Sequence, residues 1–421
     1  MHGDARPEPA ATEPDGSQAL GMLELITAAG KALNRCSYPV PRITKVINEI
    51  CDAYGYEITT EVFATYVIAV DRNAGQVEVA NTGDTYRFDQ IADTEDLIHR
   101  LRNAELAPED GVRGLQAIAD SAPPNRPLVR IIGYVLMALG FALCFRMSWA
   151  ASLTAVLIAV PAAAVLLWSN LQGTLAALMP FLLTFVSALG ITLWAVHGDI
   201  GDPVRLAVIP VLALIPGAAL TTAIIEITTA DMIAGSTRLI YALMVLMSMA
   251  FGLALAIDLV GLSNNDLQDL TPTQAPVWVL WFAAPVFALG NSLYTCTPLR
   301  FWGWVVTFAF GTYSLSLGLQ KVMLPAFAGG IAIGVALLAA WVVNAYAKGH
   351  PSVLVMFLPT FWLLVPGSMG FVAVSGAITE DRQLDSLGNN AALSLMSIAM
   401  CMMIASVLAP YVARRRKARA D

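Results

Sequence analysis

Ten apolar stretches, each close to the length of a bilayer crossing, fill residues 128–411 and leave this chain few alternatives. They run over 128–145, 149–168, 175–197, 204–225, 238–262, 277–296, 299–318, 323–346, 351–374 and 388–411. A helix needs about 20 mostly apolar residues to cross the hydrocarbon core. Without water to bind the backbone, a single open segment crosses only as a helix. The expected fold class is therefore an α-helical polytopic membrane protein with about ten transmembrane helices. Only Arg146, Met147 and Ser148 part the first two stretches, which predicts a tight hairpin. Pro180, Pro210 and Pro216 interrupt 175–225, so that region can hold one helix more or fewer.

The charges are not spread evenly. Of the 55 charged residues, 30 lie in residues 1–125 and 25 in the remaining 296. A soluble segment thus precedes the membrane part. Residues 1–17, rich in Pro, Glu, Ala and Asp, read as a disordered tail with no signal-peptide pattern. Residues 18–122 read as an α/β domain. Leu20, Leu23, Leu25, Ile26, Ala29 and Leu33 recur at helical spacing, and Ile43, Val46, Ile47 and Ile50 place a second helix over 40–54. The β-branched run 57–70, the turn Asn73-Ala74-Gly75 and the alternating run 76–80 predict a hairpin. Helices are expected over 94–106 and 108–120. A Pro-rich linker, 123–127, leads to a first membrane half over 128–275. A second half follows over 276–413, then a basic tail over 414–421.

Basic residues orient the spans. If residues 1–125 are cytoplasmic, ten spans return the C-terminus to the cytoplasm. The inner side then carries Arg126, Arg130, Arg238, Arg300, Lys348 and five basic residues of the tail, and the outer side only Arg146, Arg205, Lys321 and Arg382. That bias follows the positive-inside rule. The expected location is a bacterial plasma membrane.

An internal match adds to the count. Ile215-Pro216-Gly217 recurs as Val365-Pro366-Gly367, and at the same offset of 150 Thr229 matches Thr379 and Asp231 matches Asp381. Five spans per half would make consecutive copies face opposite ways, an inverted repeat of the kind common in secondary transporters. The other reading is coincidence between two Pro-Gly pairs. Each proline removes a backbone donor, and broken helices persist at membrane depth where they line a cavity or are buried in protein. Pro216, Gly217, Pro366 and Gly367 therefore mark either a substrate path or plain packing kinks.

At this point the sequence resembles a known family. Ile215-Pro216-Gly217-Ala218-Ala219-Leu220, then Glu226, then Gly235-Ser236-Thr237-Arg238, and later Leu364-Val365-Pro366-Gly367-Ser368-Met369-Gly370, resemble in order the motifs of the threonine/serine exporters. That family includes two-chain relatives implicated in succinate export. The resemblance covers about residues 20–413. It departs at Ile225-Glu226, where the family often holds an Arg-Asp or similar polar pair. It implies a secondary exporter of threonine and serine, driven by the proton gradient. The implied partners are a small amino acid or small carboxylate, protons and membrane lipids, with a homo-oligomer open.

Individual residues carry two readings each. Glu226, Asp231 and Arg238, at the cytoplasmic mouth of the fourth span, form either a salt-bridged loop or a gate with a proton site. Asp258, late in the fifth span, is either a coupling acid or an acid that reaches water; Asp381, the counterpart of Asp231, is a further gate or coupling candidate near the second break. Thr221, Thr222, Ser368, Asn291 and Asn344 bind substrate or bridge helices. In the first domain, Cys36, Ser37, Cys51 and His99 are the only ingredients for a nucleophilic site, and buried structural thiols are the competing reading. No phosphate-binding loop occurs, and no cofactor or metal is expected. The net charge of −7 disfavours nucleic acid. Exporters of amino acids, exporters of dicarboxylates and a membrane-anchored hydrolase or sensor are the function classes left.

Overall fold

The computed structural model describes residues 16–168, 174–195, 203–261, 274–347, 351–364, 393–394 and 396–408. The chain divides into two compact units, one of Met1–Thr85 with Thr94–Asp120 and the other of Tyr86–Asp93 with Ser121–Asp421.

The N-terminal unit begins with α1 (Gly16–Arg35) and α2 (Val40–Tyr54). Pro41 sits in the first turn of α2, where its missing N–H costs nothing, and Gly55 ends the helix in the left-handed conformation. Three antiparallel strands follow in the order β1 (Ile58–Val62), β2 (Tyr66–Asp71) and β3 (Gln76–Asn81). The expected hairpin is a three-stranded meander, because residues 63–65 turn the chain inside the β-branched run. Phe63 N–H donates to Tyr66 O there. In β2 every second side chain, Val67, Ala69 and Asp71, is buried. Leu25, Ile26, Ile43, Ile47 and Leu101 are buried as well and belong to the unit's apolar core. The next helix, α3 (Phe88–Arg102), starts six residues before the expected 94. Its first turn is closed by the Gln90 side chain, whose Oε1 accepts from Arg87 N–H, as in a capping box. α4 (Pro108–Asp120) lies where the sequence puts it.

The second unit is helical. Its elements are α5 (Pro127–Cys144), α6 (Trp149–Trp168), α7 (Thr174–Ala195), α8 (Pro203–Val208) continued by a 3₁₀ turn over Ile209–Leu214, α9 (Gly217–Thr228) and α10 (Met232–Val260). After a short 3₁₀ turn at Val277–Val279 come α11 (Leu280–Tyr294), α12 (Leu299–Leu319), α13 (Pro325–Tyr346), α14 (Val353–Leu364) and α15 (Met396–Leu408). The expected ten spans are matched in part. Among the described residues six helical segments are long and apolar enough to cross a membrane: Pro127–Cys144, Trp149–Trp168, Ala177–Trp194, Met232–Val260, Val277–Tyr294 and Pro325–Tyr346. A seventh arises if Leu206–Leu214 and Gly217–Thr228, bent by 70° at their junction, form one broken span. The stretch 204–225 is therefore not one continuous helix, and α14 and α15 are short.

Apolar side chains face outward. Ile240, Met244, Met247 and Phe251 make an exposed stripe along α10, and Leu153 and Leu157 do the same on α6. A large exposed apolar surface is expected of a protein whose solvent is lipid. Between helices small residues allow close approach. Gly140 of α5 lies against the backbone of Phe287, and Gly290 of α11 against the backbone of Met137, so a Cβ at either would collide with main chain. Both members of one contact are 150 residues from the members of the other. The same spacing recurs in the secondary structure. Residues 127–144, 203–214 and the left-handed Arg146 have counterparts at 277–294, 353–364 and the left-handed Cys296. Helices α6 and α12 also start 150 apart.

Candidate functional site

The break at Pro216 is built from local chemistry. The 3₁₀ turn ends at Leu214, and Ile215 is extended, with φ −66° and ψ 121°. Pro216 cannot donate to that turn. Gly217 N–H closes onto Ile215 O at 2.8 Å, and α9 restarts with Leu220 N–H donating to Pro216 O at 3.0 Å. Next to the break, on α5, buried Tyr134 donates its hydroxyl to Pro210 O at 2.7 Å, which holds the 3₁₀ turn against that helix.

At the other end of α9 the chain turns sharply into α10. Asp231 N–H donates to Glu226 O at 2.8 Å, and Ala230 takes a left-handed φ of 68°. Asp231 then caps α10 through Ala234 N–H, at 3.4 Å. Gly235 lets the two helices touch: a Cβ there would stand 2.6 Å from Ile227 Cγ1 and 2.9 Å from Ala223 O. Inside this corner Glu226, 0% exposed, meets the Arg238 guanidinium, its side chain 15% exposed, with 3.1 Å between Oε2 and Nε. Ile225, its neighbour on α9, packs on a second apolar cluster that includes Phe308, Ile333, Phe357, Phe361 and Met402. The charged pair thus joins the second arm of the broken helix, α9, to α10. Taking two charges from water costs several kcal/mol per ion, so such a pair persists where each charge has its partner in place.

The structure brings some sequence candidates together and leaves others apart. Pro216, Gly217, Thr222, Glu226, Asp231 and Arg238 all lie on α9, its cap or the first turns of α10, and Thr222 is buried. Thr221 is on α9 as well, with its side chain outside the described part. Asp231 is spent on the cap. Asp258 is in the last turn of α10, exposed, 20 residues past Arg238 and so roughly 30 Å along the helix from the pair. Pro366, Gly367, Ser368 and Asp381 lie outside the described residues. The route to them is described: Trp362 near the end of α14 stacks on Phe88, ring centres 5.6 Å apart, and Phe88 N–H donates to Thr295 O at 3.1 Å. Sequence reading missed Tyr134 and Phe88. A tyrosine inside a span was a usable signal for Tyr134, whereas nothing local pointed to Phe88. Asn291 is wholly buried, with its Nδ2 3.6 Å from Met137 Sδ and its Oδ1 without a hydrogen bond.

The N-terminal thiols make a poor nucleophilic site. Burial pushes the Cys36 thiol well above its ordinary range, and the groups that act on it are Glu95, Thr94 and Arg35, with no histidine among them. Burial also pushes Cys51 up to about 11. A reactive thiol requires the opposite shift. His99 is exposed in the last turn of α3.

Residues 24–260 match the family model described as "Putative threonine/serine exporter". That stretch holds most of the N-terminal unit, the Pro216 break and the Glu226–Arg238 pair, and it ends with α10. No curated protein and no solved structure matches the chain.

Proposed function

The chain belongs to the threonine/serine exporter family, and from that premise we propose that it is a proton-driven secondary transporter that moves threonine and serine out of the cell. Its family and its apolar helices make it a multi-pass membrane protein. The observation that carries the mechanism is the buried Glu226–Arg238 pair at the end of a broken helix. In this reading the freed backbone at Pro216-Gly217 and at Pro366-Gly367 binds the zwitterion, amides toward its carboxylate and carbonyls toward its ammonium, with Thr221, Thr222 and Ser368 nearby. Protonation of Glu226 releases Arg238 and lets α9 move against α10, which joins proton entry to substrate exit. Asp381 is the corresponding candidate beside the second break. Asp258, exposed and far along α10, is given no coupling role.

An inverted repeat fits this scheme. Its support is the recurrence at 150 residues of Pro-Gly, of helix bounds and of the Gly140–Phe287 and Gly290–Met137 contacts. Both termini on the cytoplasmic side of a bacterial plasma membrane, and operation as a homo-oligomer, complete the proposal.

The deciding experiment is efflux of labelled threonine, serine and succinate from proteoliposomes, with and without an imposed proton gradient. Gradient-stimulated efflux of threonine or serine supports the reading. Movement of succinate alone changes the substrate to a dicarboxylate. No movement of any of the three, from correctly inserted protein, overturns it.

A further inference from the structure

The N-terminal unit carries a cleft of about 370 Å³ that the transport scheme does not use. It lies between the C-terminal half of α2, the entry to β1 and the β2–β3 turn. Its lining holds the carboxylates of Asp52 and Glu57, the guanidinium of Arg72 and the amides of Asn48 and Asn73. Among the described residues none of the three charged side chains makes an ion pair or hydrogen bond. Opposite charges that line one cleft and do not pair with each other leave room for a ligand that carries both.

The frame around these groups is fixed. Gly55 and Tyr56 donate their N–H groups back to Asp52 O and Cys51 O, which sets the chain between Asp52 and Glu57. At the β2–β3 turn Asp71 Oδ1 accepts from Asn73 N–H at 2.8 Å and Ala74 N–H at 3.0 Å, which sets the backbone that carries Arg72 and Asn73. The lining is mainly polar, so it suits a short hydroxylated side chain better than an aliphatic one.

We propose that this cleft binds a small free α-amino acid in its zwitterionic form, with the ammonium on Asp52 and Glu57 and the carboxylate on the Arg72 guanidinium and the Asn73 amide. Arginine is suited to that carboxylate because its planar fork donates two parallel hydrogen bonds. The cleft would make the N-terminal unit a sensor of the amino acid that the membrane unit exports, and this role rests on the function proposed above.

The test is hydrogen–deuterium exchange on the full chain in lipid nanodiscs, with L-serine, L-threonine or succinate at millimolar concentration. The expected result is slower exchange at residues 54–59 and 71–76 with either amino acid and not with succinate. In Arg72→Ala the concentration for half-maximal protection should rise about tenfold or more, and Asp52→Asn with Glu57→Gln should do the same. All three positions are exposed, so these variants keep the fold. Protection that persists unchanged in Arg72→Ala, protection by succinate alone, or none in the parent chain overturns the proposal. The two readings fail separately. Efflux of threonine without protection refutes the cleft and leaves the transporter, and protection without efflux does the reverse.

Discussion

The two units each bury a carboxylate, and they satisfy it by different means. In the N-terminal unit Asp71 is buried at the end of β2 and accepts two N–H groups from the next three residues. Its partners are supplied by its own turn. In the membrane unit Glu226 is fully buried and faces an arginine 12 residues later on another helix. Its partner reaches it because Ala230 turns the chain and Gly235 lets the second helix close. A carboxylate held by its own turn stiffens that turn. A carboxylate held by a cation on a separate element joins two elements, and protonation can part them. The contrast sets an acid that serves its own turn against one that joins two helices, the basis of the switch proposed above.

The largest effect expected lies in the membrane unit's packing. Gly290→Leu drives a side chain into the Met137 backbone, and Gly140→Leu into that of Phe287; neither should yield folded protein by size-exclusion chromatography in detergent. Gly303→Leu, with nothing within 4 Å of its added Cβ, should fold and is the control.

Next comes the pair itself. Arg238→Ala leaves Glu226 buried beside a hole and should cost about 3–5 kcal/mol, read as a lower unfolding temperature. Glu226→Gln keeps the shape, should fold, and should lose the gradient-driven part of efflux. Gradient-driven efflux by Glu226→Gln at the parent rate would remove the difference between the two acids. Asp258→Asn should leave the pH profile of efflux unchanged.

Pro216→Ala offers a different kind of break: it lets the 3₁₀ turn continue into α9 and should impair efflux while the protein still inserts. Asp71→Asn should cost the N-terminal unit about 1 kcal/mol, seen as faster exchange of the Asn73 and Ala74 amides, and leave efflux intact.

The smallest effect concerns Cys51. Its thiol is raised from 9.0 to about 11, so the shift stabilises the folded chain below pH 9 and that contribution is lost as pH climbs through 11. Alkylation of Cys51 should be negligible at pH 7 and keep rising to about pH 11. A plateau near pH 9 or below would restore the hydrolase alternative.

Legibility followed the range of the interactions. Helix α2 and helix α4 were readable to the residue, since apolar spacing, an early proline and a terminal glycine act within a few positions. The turn at residues 63–65 was not, because Phe63, Ala64 and Thr65 include no glycine, proline or asparagine to mark it. The start of α3 was also missed, because Gln90 reaches back three residues without the serine or threonine that usually announces such a cap.

The sequence by itself determined that this chain lives in a membrane, that a charged unit precedes the apolar one, and that Pro216 ends a helix. Those follow from transfer free energies and from a missing N–H, which need no neighbour. Tertiary structure decided that 204–225 is bent, that Glu226 faces Arg238 while Asp258 lies exposed at the far end of α10, and that Asp52, Glu57 and Arg72 line one cleft. Such pairings depend on which residues distant in the chain are packed together, and in a membrane small residues that allow close approach settle that. Their pattern says two helices can touch without saying which two.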